Sequence, residues 1–119
     1  MKRILVVDDS MYTRSLMMDL LSDQDFELYQ AADTNEMFTK IEEIQPDVVV
    51  IDIIMPGMNG LDAVKMLHEK QPGIKVIVCS AQGTQAVKDE AFSNGAVGYI
   101  QKPFSVDSLT EELNRAFQD

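Results

Sequence analysis

The apolar run of residues 48–51, which leads into Asp52, limits the fold more than any other stretch of the chain. Its four side chains are all β-branched, which predicts a strand buried on both faces. Such a strand belongs to a parallel sheet that helices cover on either side. Asp52 then stands at the carboxyl end of the strand, where ligands gather in open α/β sheets.

Strand and helix patterns alternate five times along the chain. The predicted strands are residues 4–7, 26–31, 48–52, 74–79 and 96–100, and the polar–apolar alternation of residues 26–31 favours an edge position. Apolar residues at helical spacing follow each strand. The first, second, fourth and fifth predicted helices are residues 12–21, 33–44, 84–92 and 106–117. The third lies between the turn at 59–60 and the Pro/Gly stop at 71–73. This order predicts one α/β domain, residues 1–119, with a doubly wound, flavodoxin-like (βα)5 fold. Its five-stranded parallel sheet has the order 2-1-3-4-5, with helices on both faces.

Composition and charge restrict the possible functions. The chain has 119 residues, enough for one domain with its own core, and a net charge of −10, which argues against binding to nucleic acid or an anionic membrane. The single cysteine, Cys79, excludes an internal disulfide and fits a reducing cytoplasm. Residues 2–7 resemble the start of a signal peptide, but the apolar part is too short and Asp8-Asp9 closes it. No run is long enough to cross a membrane, so a cytoplasmic protein is expected.

Reactive side chains stand at the carboxyl ends of four of the five predicted strands: Asp8 and Asp9, Asp52, Ser80, and Lys102. Carboxylates that meet in one crevice need a cation, and carboxylate oxygens with water are the ligands that Mg²⁺ prefers. A hydroxyl and an ammonium group beside the metal could bind the oxygens of a phosphoryl group in transfer. These residue types therefore indicate phosphoryl transfer to a carboxylate, with Asp52 as the nucleophile.

Each residue also has an ordinary structural interpretation when it is taken alone. Asp8, Asp9 and Ser80 could each cap a helix, with either Asp9 or Ser10 capping the first one, and Lys102 could be a solvated charge. The functional interpretation depends on their joint occurrence at the strand ends.

The chain resembles the receiver domain of two-component response regulators, and most of all the CheY-type chemotaxis regulators. The resemblance spans nearly the whole chain and rests on motifs that occur in the family's order. They are Asp8-Asp9-Ser10, the segment 52–60 (DIIMPGMNG), the segment 78–83 (VCSAQG) and Lys102-Pro103-Phe104. It implies a CheY-like fold and a phosphoacceptor, Asp52, that takes its phosphoryl group from a histidine kinase.

The resemblance also implies a role for each matching residue around Asp52. Asp9, Asp52 and the Ile54 carbonyl would bind Mg²⁺ directly, or Mn²⁺ in its place, while Asp8 would act mainly through water. The Ile54 side chain, at a position that varies in the family, would shield the acyl phosphate from water. The neutral, polar Gln82 stands at a second such position.

Three further residues are implied in binding and signalling. Lys102 would contact the phosphoryl group, with a cis bond to Pro103, and Ser80 would bond a phosphoryl oxygen and move on phosphorylation. Tyr99 would turn inward behind Ser80 as the switch residue. From its sequence position alone, Tyr99 is instead an edge residue with a packed ring and a hydrated hydroxyl group.

The expected protein is a monomeric switch rather than an enzyme. Its output partner would be a flagellar motor switch protein, and a stand-alone phosphorelay receiver is the nearest alternative. An aspartyl-phosphate phosphatase would need a second acid where Ile54 stands, and an FMN carrier would need a phosphate-binding loop where Asp8-Asp9 would repel phosphate. A receiver cut from a DNA-binding regulator is also possible. Because the sequence begins with Met1 and lacks a linker and a basic helix-turn-helix, a stand-alone receiver is favoured.

Overall fold

Five strands alternate with five helices in residues 1–57 and 59–118, which the computed structural model describes. The strands are β1 (Lys2–Val7), β2 (Phe26–Ala31), β3 (Val48–Ile51), β4 (Lys75–Ser80) and β5 (Gly98–Gln101). The helices are α1 (Met11–Leu21), α2 (Thr34–Ile44), α3 (Gly60–Lys70), α4 (Gln85–Ser93) and α5 (Val106–Phe117).

The strands form one parallel sheet in the order β2-β1-β3-β4-β5, which confirms the predicted doubly wound fold. The central strand β3 lies between β1 and β4, and no residue of it is more than 1% exposed. The interpretation of residues 48–51 as a strand covered on both faces is therefore correct. The edge position predicted for residues 26–31 is confirmed as well.

Successive side chains of β3 point into two separate apolar cores, because neighbouring residues of a strand face opposite sides of the sheet. Val49 and Ile51 join buried residues of α2, α3 and α4, a set that we call the α3 core. Val48 and Val50 join buried residues of α1 and α5, which we call the α5 core. The sheet thus stands between two layers of helices.

Polar side chains fix where the helices begin. The Ser10 hydroxyl accepts a hydrogen bond from the Thr13 amide at 3.2 Å, so Ser10, and not Asp9, caps α1. Side chains in the equivalent position cap the other helices; they are Asp33, Asn59, Thr84 and Ser105. The carboxylate of Asp9 is consequently left for other contacts.

Two strands begin later than the apolar patterns predict. The Ile74 amide donates to the Gln71 carbonyl at 3.0 Å and closes the turn after α3, so β4 starts at Lys75 and extends to Ser80. The Ala96 amide donates to the Ala91 carbonyl at 3.0 Å and closes the end of α4, while the Val97 amide donates to the Val76 carbonyl of β4 at 2.8 Å, and β5 begins at Gly98.

Cys79 lies in the α5 core, where burial raises the pKa of its thiol to about 12 and keeps it protonated. Among the described residues, no helix has both the length and the apolar character needed to cross a membrane.

Candidate functional site

The sheet places Asp8, Asp52 and Ser80 at the carboxyl ends of three neighbouring strands, and all three are buried. The Asp52 amide donates to the Val7 carbonyl at 3.0 Å, and the Asp8 amide donates to the Ala31 carbonyl at 3.1 Å. The parallel hydrogen-bond ladders therefore continue one residue past β3 and β1. This continuation fixes the backbone of both acids even though they lie outside the strands.

Lys102 reaches across from the end of β5 and joins the two buried acids. Its Nζ lies 2.8 Å from Asp8 Oδ2 and 3.1 Å from Asp52 Oδ2. Burial would lower the pKa of Lys102, but the hydrogen bonds to Asp8 and Asp52 outweigh it, and the pKa is raised. The Lys102 amide donates to the Ser80 carbonyl at 2.8 Å, and the peptide bond to Pro103 is cis, as the resemblance implied.

The Asp52 carboxylate is held through both oxygens in an environment that disfavours its charge. Its Oδ1 accepts from the Ile54 amide at 2.9 Å, and its Oδ2 accepts from Lys102. Burial raises the pKa of Asp52, and the nearby charge of Asp8 adds to this, although the hydrogen bonds from Ile54 and Lys102 act in the opposite direction. A second cation, or a reaction that neutralises the carboxylate, would relieve this cost.

Asp8, Asp9 and Asp52 together could hold a metal ion. Each offers one carboxylate oxygen, and these oxygens lie within 4.8 Å of one another. Asp9 is exposed while the other two are buried, so the cluster opens to solvent on one side. Three oxygen donors with access to water fit Mg²⁺ or Mn²⁺, which keep several water ligands, better than they fit a soft metal.

Ile54 lies beside Asp52 because its amide turns back to the carboxylate. Its side chain is 49% exposed, and together with Gln82 it lines an open cleft of about 410 Å³. The two positions that the resemblance marked as variable thus face one cleft at the rim of the site.

Gly60 allows α3 to approach the main chain of Ile53 closely. A Cβ atom at Gly60 would lie 2.2 Å from the Cα of Ile53, so the first turn of α3 sits directly on the main chain of the loop. Gly57 in the same loop has φ +92°, a conformation that L residues with side chains rarely adopt. The contact at Gly60 thus places α3 against the residue that precedes Ile54.

Ser80 and Tyr99 both contact the loop between β4 and α4. The Ser80 hydroxyl accepts from the Gln82 amide at 3.2 Å, and the Tyr99 hydroxyl donates to the Gln82 carbonyl at 2.6 Å. The half-buried ring of Tyr99 packs against the α3 core, and Lys88 Nζ lies 5.8 Å from the ring centroid. Burial raises the pKa of the Tyr99 phenol. The serine and the tyrosine are therefore linked through the main chain of one residue.

One contact of the site was not anticipated from the sequence. Arg14, on the first turn of α1, donates from Nη1 to the Asp8 carbonyl at 2.5 Å and from Nε to Gln30 Oε1 at 2.9 Å. The only sequence signal was a cation one helical turn after the Asp8-Asp9-Ser10 motif.

Residues 4–114 match the family described as the response regulator receiver domain. The chain belongs to this family: it is the receiver domain of a two-component response regulator, of the CheY-like kind. The resemblance noted in the sequence is thus confirmed at the level of the family, while the roles of the individual site residues remain predictions.

Several chemotaxis proteins are similar to the chain over nearly its full length. The chemotaxis protein CheY of Listeria monocytogenes is 40% identical over 117 residues, which cover 98% of each chain. The CheY of Thermotoga maritima is 41% identical over 115 residues, covering 96% of each. Among solved structures, the Vibrio cholerae chemotaxis protein CheY4 superposes with a TM-score of 0.90 at 30% identity, covering 98% of both chains.

Proposed function

We propose that this receiver domain accepts a phosphoryl group on Asp52 from the phosphohistidine of a histidine kinase and thereby switches its binding surface. The observation that carries the proposal is the arrangement in which Lys102 joins Asp8 and Asp52 beside a cluster of three carboxylates. An ordinary helix cap or surface acid needs neither a shared lysine nor two acidic neighbours. The protein is a switch that takes part in its own modification rather than an enzyme acting on a separate substrate.

In the transfer, a carboxylate oxygen of Asp52 forms a bond to phosphorus while the nitrogen–phosphorus bond of the donor breaks. The donor imidazole leaves with the electron pair of that bond. The ammonium group of Lys102 already lies 3.1 Å from Asp52 Oδ2, so it is placed to stabilise negative charge on the phosphoryl oxygens. The Ile54 amide, bonded to Asp52 Oδ1, keeps the carboxylate in one orientation during the attack.

The residues present fit a divalent metal with oxygen ligands, and we propose Mg²⁺, with Mn²⁺ as a substitute. Asp9, Asp52 and the Ile54 carbonyl would hold it directly, and Asp8 would act mainly through water. When bound, the metal neutralises charge on the transferring phosphoryl group. Asp9 suits this role because its carboxylate is exposed and Ser10 performs the capping of α1.

The signal would pass from Ser80 to Tyr99. A phosphoryl group adds nearly two negative charges and three acceptor oxygens, and the Ser80 hydroxyl can bond one of them if its loop moves inward. The Gln82 main chain contacts both side chains, so a movement of this loop changes the contact of Tyr99 as well. The output is a shift between two arrangements of the surface formed by α4, β5 and α5.

The relatives named CheY support a role in chemotaxis, with a flagellar motor switch protein as the output partner. Large apolar side chains at the start of α1 offer a surface for the phosphodonor protein: Met11 is 69% exposed and Tyr12 is 76% exposed, directly after Asp8-Asp9-Ser10. We place the protein in the cytoplasm, where histidine kinases present their phosphohistidine.

The test is a phosphorylation-dependent pull-down with the wild-type protein and Asp52→Asn. Wild type treated with a small acyl phosphate and Mg²⁺ is expected to take up phosphate and to retain a partner that Asp52→Asn does not retain. Asp23→Asn, which makes the same change at an exposed turn, is the matched control and should behave as wild type. Persistent labelling of folded Asp52→Asn would overturn the assignment of the acceptor.

A further inference from the structure

Arg14, on the first turn of α1, binds a main-chain oxygen of the acidic cluster. Asp8 follows β1, and its carbonyl accepts from Arg14 Nη1 at 2.5 Å. The other edge of the guanidinium donates from Nε to Gln30 Oε1 at 2.9 Å, so the side chain is fixed from the strand β2 as well. Two hydrogen bonds in the plane of one guanidinium give Arg14 a single orientation.

With Arg14 in place, every polar group of Asp8 has a defined partner. The amide donates to the Ala31 carbonyl at 3.1 Å, and the two carboxylate oxygens accept from the Ser10 amide at 2.9 Å and from Lys102 at 2.8 Å. The carbonyl bonded to Arg14 belongs to the peptide that joins Asp8 to Asp9. The direction of this peptide determines where the Asp9 side chain leaves the backbone.

We propose that Arg14 is a positioning residue that fixes the Asp8–Asp9 peptide and so sets the affinity of the acidic cluster for a divalent cation. The inference rests on the proposed metal-dependent function of the cluster. Asp9 needs such support because its exposed carboxylate is not the cap of α1, so packing alone does not fix it. Groups that orient metal ligands from behind commonly change metal affinity by about 10–100-fold when they are removed.

The experiment measures Mg²⁺ and Mn²⁺ binding by isothermal titration calorimetry in wild type, Arg14→Met and Arg14→Lys. Arg14→Met is expected to bind either metal about tenfold more weakly than wild type. Arg14→Lys keeps the positive charge but cannot make both hydrogen bonds of the planar guanidinium. Most of the loss of metal affinity seen in Arg14→Met should therefore persist in Arg14→Lys. Phosphate uptake from a small acyl phosphate at saturating metal should recover in both variants, because positioning acts through metal affinity.

Arg115→Met is the matched control, because it removes an arginine of α5 whose side chain is 60% exposed, and it should bind metal as wild type does. Gln30→Met removes only the outer contact of Arg14 and should weaken binding less than Arg14→Met. It is the informative variant if Arg14→Met does not fold. Unchanged metal affinity in folded Arg14→Met would overturn the inference, and so would wild-type affinity in Arg14→Lys. If Arg14→Met does not fold, wild-type affinity in Gln30→Met would overturn it. Failure of wild type to bind metal would instead refute the proposed function.

Discussion

Two buried carboxylates share one ammonium group, and this sharing affects the pKa of Asp52. Asp8 and Asp52 each direct one oxygen at Lys102 Nζ. A single cation neutralises one of the two negative charges, so burial still raises the pKa of Asp52 even though Lys102 contacts it. The charged acceptor is thus kept at a cost in stability, as is common where side chains serve function.

The pH dependence of stability should reveal this cost. Since the folded-state pKa of Asp52 lies above its unfolded value, the folded protein takes up the proton first, and charged Asp52 lowers the free energy of unfolding above the folded-state pKa. We expect metal-free Asp52→Asn to be more stable than wild type at pH 7. The difference should shrink as the pH falls through the raised pKa of Asp52. Urea denaturation in the presence of a chelator at several pH values measures it. A variant less stable than wild type at every pH contradicts the prediction.

Ile54 should control how long a phosphoryl group stays on Asp52. Its side chain stands at the rim of the site, where it can keep water away from the acyl phosphate. Ile54→Asn is expected to lose phosphate several-fold faster than wild type in an assay of dephosphorylation after removal of the donor. Ile54→Val, which remains apolar, serves as the control with a nearly unchanged rate. A slower Ile54→Asn variant would be incompatible with shielding.

Much of the site follows from the sequence because carboxyl ends of neighbouring parallel strands must meet at one edge of the sheet. That rule alone brings Asp8, Asp52, Ser80 and Lys102 together. It does not predict that one lysine contacts both acids, since that depends on side-chain reach across two strands. It also does not reveal Arg14, because its contact is to a main-chain oxygen that no residue pattern marks.

At the scale of the elements, the loop between β3 and α3 depends on close backbone contact at Gly60. Because a methyl group there would meet the Ile53 backbone at 2.2 Å, Gly60→Ala must displace either α3 or the loop that carries Ile54. We expect a loss of about 1–3 kcal/mol in the free energy of unfolding, measured by urea denaturation. Metal binding should weaken as well, since the displaced loop contains the Ile54 carbonyl that we propose as a metal ligand.

Gly73→Ala provides the comparison, because no atom lies within 4 Å of a Cβ added at Gly73. Its stability should stay within about 0.5 kcal/mol of wild type. Equal effects of the two alanine substitutions would show that the contact at Gly60 is unimportant.

The boundaries of elements were less predictable than their order. The run at 48–51 has only one interpretation, because four consecutive β-branched residues leave no polar face. Residues 74 and 96–97 are also apolar, yet the amides of Ile74 and Ala96 are used to close the preceding turns. Apolar character predicts burial, but it does not reveal that the amides of Ile74 and Ala96 bond to the preceding turns.

At the scale of the whole molecule, the two cores provide most of the stability, while the site lies at the carboxyl ends of the strands. Leu109 is fully buried in the α5 core, and Leu109→Ala should lower the free energy of unfolding by about 2–5 kcal/mol. Where the variant remains folded, its Mg²⁺ affinity should match that of wild type, because β1 and β3 fix Asp8 and Asp52 and α5 contributes no residue to the cluster. Calorimetric titration beside thermal denaturation separates the two effects. A parallel fall in affinity would mean that the α5 core also supports the site.

Neighbouring side chains of β5 point to opposite faces of the sheet, so the α4 side and the α5 side of the surface beside β5 contact different parts of the protein. We call these two sides the α4 half and the α5 half. Tyr99 packs toward the α3 core, and its hydroxyl contacts the loop that follows Ser80, whereas Ile100 packs into the α5 core. We therefore expect a displacement of that loop to reach the α4 half through Tyr99 and to change the α5 half less. A partner protein that contacts both halves would then bind according to the position of α4 relative to α5. Equal changes of amide hydrogen exchange in α4 and α5 on phosphorylation would contradict the expectation that the α4 half changes more.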